Sequence, residues 1–595
     1  MIENREKDLV TMFSNMADQK KKKPFLWKKS RGTWTPQSWD ETANFVASLA
    51  KGLQEIGVST GDRVMLVSES RPEWLGIDLA IMAAGAVTVP TYTTNYEPEH
   101  LHVMNDSGAE TVIVSNQSLL ERVLPAALKS DTVKKIFLID EYNSDEQSIE
   151  IRRLETIRVP VQNDASKTLR TMATSLGGHS IACIIYTSGT GGAPKGVICS
   201  HGGILSNCRD ATKILSTMGL EDEVFLSFLP LSHSYEHTAG QFWPISLGAQ
   251  IYYAEGIDKL ASNMIEVKPT LMSAVPRLYE SMRDRILGSV RQGNKITEKL
   301  FQSTITLGRK KFEGQKLSML EKVQDMLLEK IVRRKVALRF GGRLKAFISG
   351  GAPLNYEVGM FFTGLGIRLL QGYGQTESGP VISVNPPFGY RIDSVGLPLS
   401  EAEVKIADDG EILVRGELVM QGYWRQPEAT DETIKNGWLH TGDVGIIDPD
   451  GHLKITDRKK DIIVNSGGDN VSPQRVEGCL IAEPEIYQSM VYGDKRPHLV
   501  AIIVPDKGFV SNWCAENNID PTDAATLMTD SVFRSAIAEA VDRANSRLTQ
   551  IERVRRFILT DKEFTLENEM ITPTLKVRRH IIRHQYEEKL EALYG

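Results

Sequence analysis

Short runs of β-branched and apolar residues, such as Arg63-Val-Met-Leu-Val67 and Thr111-Val-Ile-Val114, alternate along this chain with helical patterns such as Glu73 to Ala83. A strand written as a continuous apolar run is covered on both faces, and a helix between two such strands lets them run parallel. The alternation therefore predicts an α/β fold with parallel-rich sheets and covering helices. A chain of 595 residues exceeds one core, so more than one domain is expected.

The most apolar long stretch, Trp74 to Pro90, contains Asp78 and two glycines and closes on Val87-Thr-Val-Pro90. It reads as a buried helix running into a strand, because a membrane helix needs about 20 predominantly apolar residues. The first residues, MIENREKDLVTMF, lack the apolar core of a signal peptide. Five cysteines form no CxxC pair, which points to neither a zinc site nor a disulfide framework and fits a reducing cytoplasm. With 70 Lys and Arg against 76 Asp and Glu, the net charge of −6 supplies no basic field for nucleic acid. Oligomeric state is not legible.

Between Ser281 and Arg343 apolar residues recur at helical spacing among Arg309, Lys310, Lys311, Lys330, Arg333, Arg334 and Lys335. Two readings of this basic helical insert stand: a solvated face of covering helices, or peripheral attraction to an anionic membrane surface. Further on, Asp450-Gly451 predicts a hairpin turn followed by a strand over His452 to Thr456. A new pattern then includes an amphipathic stretch from Thr529 to Leu548 and a charged terminal helix from Val577. We place the domain boundary near Asp457, giving a large N-terminal domain over 1–457 and a small α+β domain over 458–595.

The chemistry-bearing motif is Tyr186-Thr-Ser-Gly-Thr-Gly-Gly-Ala-Pro-Lys-Gly196, which follows the strand-like Ile181-Ala-Cys-Ile-Ile185. Glycines 189, 191 and 192 let backbone N–H groups converge on an anion, Thr187, Ser188 and Thr190 add hydroxyl donors, and Lys195 adds a charge. That is a triphosphate cradle, although a Gly/Ser/Thr loop on its own is as often a flexible turn. It is not a Walker loop: Pro194 precedes the lysine and Gly196 follows it, where a magnesium-binding Ser or Thr would be required.

The motif resembles the YTSGTTGxPKG signature of the adenylate-forming superfamily, which includes acyl-CoA synthetases, with Gly191 standing where threonine is usual. Further matches follow in order: Ser349-Gly-Gly-Ala-Pro-Leu354, Gln371-Gly-Tyr-Gly-Gln-Thr-Glu377, His440-Thr-Gly-Asp443, Asp457-Arg-Lys-Lys-Asp461, Ser466-Gly-Gly-Asp-Asn-Val-Ser-Pro473 and Thr572-Pro-Thr-Leu-Lys576. The likeness spans nearly the whole chain. Asn436 to Asp443, continuing to Asp461, and the basic insert look most like the long-chain fatty-acyl-CoA synthetase branch, with Val464-Asn465 in place of a lysine-containing pair.

The resemblance implies ATP, Mg²⁺ and coenzyme A as reactants or cofactors and a fatty acid as substrate. It gives Glu377 to the metal and Thr376 to the α-phosphate, stacks Tyr373 on adenine, and makes Gly350, Gly351, Ala352 and Pro353 the facing wall. Asp443 and Arg458 would meet the ribose, and Lys576 the carboxylate and α-phosphate during adenylation. His233 would lie at the acyl site, though a satisfied core histidine is an equal reading, and Ser466, Gly467 and Gly468 would form the pantetheine passage. Lys460 falls where the family places the hinge of a C-terminal lid. Other readings stay open: a ligase for an aryl, bile, medium-chain or carrier-bound acid, a luciferase-like oxidase, and a nucleotide-binding scaffold.

Overall fold

The apolar runs become central strands. In the computed structural model, which describes all residues except 1–5, 163, 188–192, 518, 520–523, 566 and 572–576, Arg63–Val67 and Thr111–Val114 are strands with the bounds read from the sequence. They pair in parallel, Val64 opposite Thr111 and Val67 opposite Val114. All four side chains of Thr111–Val114 and all five of Val87–Thr91 are buried, as two-sided coverage by helices requires. The intervening helix, Pro72–Ala83, buries every residue except Glu73, which is why its sequence shows almost no polar face.

Two sheets organise the first unit. One has seven strands in the order Glu150–Arg153, Lys135–Leu138, Thr111–Val114, Arg63–Val67, Val87–Thr91, Ile181–Thr187 and Lys195–Ser200. Its pairs are parallel except the last. The other has nine strands, whose parallel centre runs Leu369–Tyr373, Ala346–Ser349, Leu271–Ala274, Val224–Ser227 and Gln250–Tyr253. Parallel strands send all their following loops out of one edge, and that edge is where α/β sheets collect ligands.

The chain divides into two compact units, one over 1–405, 413–441 and 447–454, the other over 406–412, 442–446 and 455–595. Within the first, the Asp450-Gly451 turn forms: Asp448 N–H donates to His452 O at 3.0 Å, Gly451 takes φ +85°, and a strand begins at Leu453.

The second unit is built on a three-stranded sheet of Ile486–Tyr492, Leu499–Pro505 and Val554–Leu559. Its central strand is wholly buried. The helix Ser531–Asn545 covers one face with Phe533, Ile537, Ala540, Val541 and Ala544, and Asp530 caps it by accepting from Phe533 N–H at 2.8 Å. The terminal helix Arg579–Glu591 packs Ile582, Tyr586 and Leu590 into a separate cluster with Tyr492, Val500 and Ile502. No helix among the described residues is long and apolar enough to cross a membrane.

Candidate active site

Three of the candidate segments leave strands of the parallel centre of the nine-stranded sheet. Ser349 and Gln371 are parallel partners, so Gly350 to Pro353 and Gly372 to Glu377 emerge side by side. The strand Val224–Ser227, separated from them by Leu271–Ala274, leads to His233 from the same edge.

At the first loop, Gly350 N–H donates to Ala274 O at 3.2 Å, and a Cβ there would sit 3.0 Å from Cζ of Tyr235. A side chain there would press on the aromatic ring behind the loop, whose hydroxyl donates to Ile348 O at 2.7 Å. Gly351, Ala352 and Pro353 are exposed, leaving an open wall of small residues. Tyr373 is buried, and its carbonyl accepts from Ile382 N–H at 2.7 Å. Thr376 opens a short 3₁₀ turn, Thr376–Ser378. Its hydroxyl lies 2.9 Å from that of Ser234, in a buried contact between the two loops.

His233 caps the start of the helix that begins at Ser234, its Nδ1 accepting from Tyr235 N–H at 3.2 Å. Just behind it, Glu236 is fully buried and accepts from the hydroxyls of Ser227, at 2.6 Å, and Ser273. Burial raises its pKa to about 7, with the two serine hydroxyls pulling the other way.

The candidate phosphate loop joins two paired strands of the seven-stranded sheet, Ile181–Thr187 and Lys195–Ser200. Thr187 is paired with Lys195 across its antiparallel stem. Ser188, Gly189, Thr190 and Gly191 lie outside the described residues. The stem is joined to Glu377 by the segment Met420 to Trp424. Gln421 N–H donates to Ile198 O at 3.1 Å, Ile198 N–H to Gly422 O at 3.0 Å, and Trp424 N–H to Gly196 O at 2.7 Å. Met420 N–H donates to Glu377 O at 2.9 Å.

Tyr423 completes the link: its hydroxyl donates to Glu377 Oε1 at 2.9 Å, and its ring centre lies 4.8 Å from Lys195 Nζ. Partial burial and the adjacent Glu377 carboxylate raise the pKa of the Tyr423 phenol, so it remains a donor. Lys195, Glu377 and Thr376 are therefore brought together. Tyr423, Trp424 and Ser234 were missed by the sequence reading, because none belongs to a chemistry-bearing motif.

In the second unit Arg458 Nε donates to Asp443 Oδ1 at 2.8 Å, with Asp443 buried. Lys460 is exposed in the turn that follows, where Asp461 and Ile462 N–H both donate to Arg458 O, at 2.9 and 3.0 Å. Ser466, Gly467 and Gly468 form an exposed turn between the strands Ile463–Val464 and Asn470–Val471. Asn465 Oδ1 organises it, accepting from Gly467 and Asp469 N–H at 2.9 Å each. Gly468 takes φ +87°, which favours glycine, while the space around its missing Cβ is open. Lys576 lies outside the described residues.

Known proteins match along this whole arrangement. The AMP-binding enzyme family covers residues 13–424, and the AMP-binding enzyme C-terminal domain covers 460–595. The chain is 33% identical over 572 residues to the long-chain-fatty-acid–CoA ligase FadD15 of Mycobacterium bovis, spanning 95% of this chain and 93% of that one. It is 29% identical over 597 residues to long chain acyl-CoA synthetase 7, peroxisomal, of Arabidopsis thaliana, across 95% and 83% of the two chains. The adenylation domain of a carboxylate reductase from Mycobacterium chelonae superposes with a TM-score of 0.73 at 21% identity, covering 99% of this chain and 91% of that one. A likeness at that identity shows the fold alone.

Proposed function

Since the chain belongs to the AMP-binding enzyme family of adenylate-forming acyl-CoA synthetases, we propose that it activates a long-chain fatty acid with ATP and transfers the acyl group to coenzyme A. A carboxylate oxygen is a poor leaving group, so the acid must first become a mixed anhydride with AMP. The carboxylate attacks the α-phosphorus and pyrophosphate leaves. The thiol of coenzyme A then attacks the acyl carbon, and AMP leaves with the electron pair. Both steps demand alignment and charge neutralisation rather than covalent help from the protein.

The observation that carries this reading is the cluster of Lys195, Tyr423 and Glu377, which ties the stem of the phosphate loop to the Gln371–Glu377 segment. In it, Lys195 would neutralise phosphate charge and Thr376 would hold the α-phosphate, its hydroxyl positioned by Ser234. Magnesium fits these residues: Tyr423 holds Oε1 of Glu377, and Oε2 has no hydrogen bond among the described residues. No group of three or more His, Cys, Asp or Glu able to hold a metal occurs among the described residues, so this one carboxylate would share the ion with substrate phosphates and water. When bound, the ion neutralises phosphate charge.

Tyr373 and the wall of Gly350, Gly351, Ala352 and Pro353 are assigned to adenine, Asp443 and Arg458 to ribose, and Thr187, Ser188, Gly189, Thr190 and Gly191 to the phosphates. His233 is assigned to the acyl side, Ser466, Gly467 and Gly468 to pantetheine, Lys576 to adenylation and Lys460 to the hinge of a lid spanning 458–595. The reaction is placed in the cytoplasm, with a peripheral encounter with anionic membrane through the basic helical segment.

The test is acid-dependent pyrophosphate release and acyl-CoA formation with hexanoate, decanoate, palmitate, oleate and benzoate. The reading expects kcat/KM to peak at palmitate or oleate. A peak at benzoate or hexanoate would overturn the long-chain assignment, and oxygen consumption in place of acyl-CoA formation would overturn the ligase.

A further inference from the structure

A helix on the surface of a globular protein normally hides its apolar side, and Met319–Leu328, which packs on the neighbouring helices, does the reverse. Asp325 and Leu328 are its buried residues. Met319, Leu320 and Met326 are 75%, 84% and 66% exposed, and Val323 and Leu327 are exposed beside them. At about 100° per residue these five fall within an arc of about 120°, on the side opposite Asp325 and Leu328. The acidic groups are turned away from that face: Glu321 accepts from Lys310 at 2.7 Å, and Asp325 forms an ion pair with Arg333 at 2.7 Å. Exposed apolar side chains gathered on one face mark an interaction surface.

The charges around this face differ from those that drew attention in the sequence. Arg309 is paired with Glu313 and Glu357, Lys310 with Glu321, Lys311 with Asp325, and Arg333 with Asp325 and Glu329. Those cations are largely neutralised within the protein. Lys316, Lys322, Lys330, Arg334 and Lys335 are exposed and have no ion-pair partner among the described residues. A chain of net charge −6 thus carries exposed cations before, within and just after the helix that bears the apolar stripe.

We propose that this face of residues 316–335 docks on an anionic lipid bilayer. Met319, Leu320, Val323, Met326 and Leu327 enter the boundary between headgroups and acyl chains, and the surrounding lysines and Arg334 contact lipid phosphates. The proposal rests on the peripheral encounter named above and gives it a surface. Charge favours lipid over a second copy of the chain, because a two-fold contact on this face would set the same cations against one another.

The experiment is flotation of the full chain with vesicles of phosphatidylcholine alone or mixed three to one with phosphatidylglycerol. The wild type binds the mixed vesicles, and binding falls at least tenfold in 0.5 M salt, in Leu320→Ser/Val323→Ser/Leu327→Ser and in Lys322→Glu/Lys330→Glu. Equal flotation of the triple-serine variant and wild type overturns the proposal, as does a wild type that stays in solution with both vesicle types. So does a wild-type dimer that the serine substitutions dissociate while neither protein floats. Pyrophosphate release with palmitate, measured on the same proteins before vesicles are added, separates the two ideas: its persistence in both variants shows an intact fold, and its absence from the wild type counts against the enzymatic reading alone.

Discussion

Tyr423 donates its hydroxyl proton to Oε1 of Glu377 at 2.9 Å while its ring lies 4.8 Å from the ammonium of Lys195. Residues 195, 377 and 423 come from three distant stretches of chain, and the backbone bonds of Gln421, Gly422 and Trp424 fix their mutual placement. If Glu377 holds the metal, its carboxylate is thereby aimed before substrate arrives, which removes reorganisation from the reaction step.

Glu377→Ala is expected to lower pyrophosphate release by about 10²- to 10³-fold, the usual cost of a lost electrostatic stabiliser. Its circular dichroism should match the wild type, since a partly exposed carboxylate is removed rather than core packing. Tyr423→Phe keeps the carboxylate but releases its orientation, so the Mg²⁺ concentration for half-maximal rate should rise by about tenfold. An unchanged Mg²⁺ dependence in both variants would remove Glu377 from the metal.

Asp443 is buried and held by Arg458. If it accepts from the ribose hydroxyls, Asp443→Ala should raise the KM for ATP by roughly 10- to 100-fold, as expected for hydrogen bonds to a charged group. The KM for the acid should change little. Equal shifts in both constants would point to a general disturbance of the fold.

The buried Glu236 supplies a stability prediction. Its pKa is raised from 4.5 to about 7, so between those values the folded state holds a proton that the unfolded state has released. The stability linked to that proton is fully present below pH 4.5 and is lost as pH rises through about 7, a change of about 3 kcal/mol. Glu236→Gln stays neutral and lacks this term. Its urea-unfolding free energy relative to wild type should therefore improve by about 2 kcal/mol or more between pH 5 and pH 8. Parallel pH profiles would show that Glu236 is not protonated in the fold.

The parts legible in the sequence were those governed by local pattern. Arg63–Val67 and Thr111–Val114 were readable because four- and five-residue apolar runs leave a strand few alternatives. The helix Ser531–Asn545 was readable because its buried residues repeat at helical spacing. The candidate site was legible only where residues sit in contiguous motifs. Tyr423 carries no such mark, and its bond to Glu377 crosses 46 positions. A Gly-Tyr-Trp loop with Gly422 at φ +137° is a weak signal at best. The basic insert shows the same limit, since Arg309 meets Glu357 across 48 positions and no run of lysines and arginines reveals which of them are already paired.

In the proposed mechanism Lys576 and Lys460 act in different half-reactions. Lys576→Ala should slow acyl-adenylate formation by about 100-fold or more, leaving attack of coenzyme A on supplied acyl-AMP nearly intact. Lys460→Pro fixes φ near −65° and should spare pyrophosphate release while slowing thioester formation. Equal slowing of both steps by each variant would exclude alternating orientations of the lid.

The central claim is that the acid becomes an adenylate before it becomes a thioester. It is tested most directly by a single turnover with labelled palmitate, ATP and Mg²⁺, quenched with and without coenzyme A. Without coenzyme A, the account predicts palmitoyl-AMP and pyrophosphate in equal amounts, close to one per enzyme. Addition of coenzyme A should then convert the adenylate to palmitoyl-CoA with release of AMP. Formation of ADP and phosphate, or of palmitoyl-CoA without an adenylate that can be chased into it, would contradict the account.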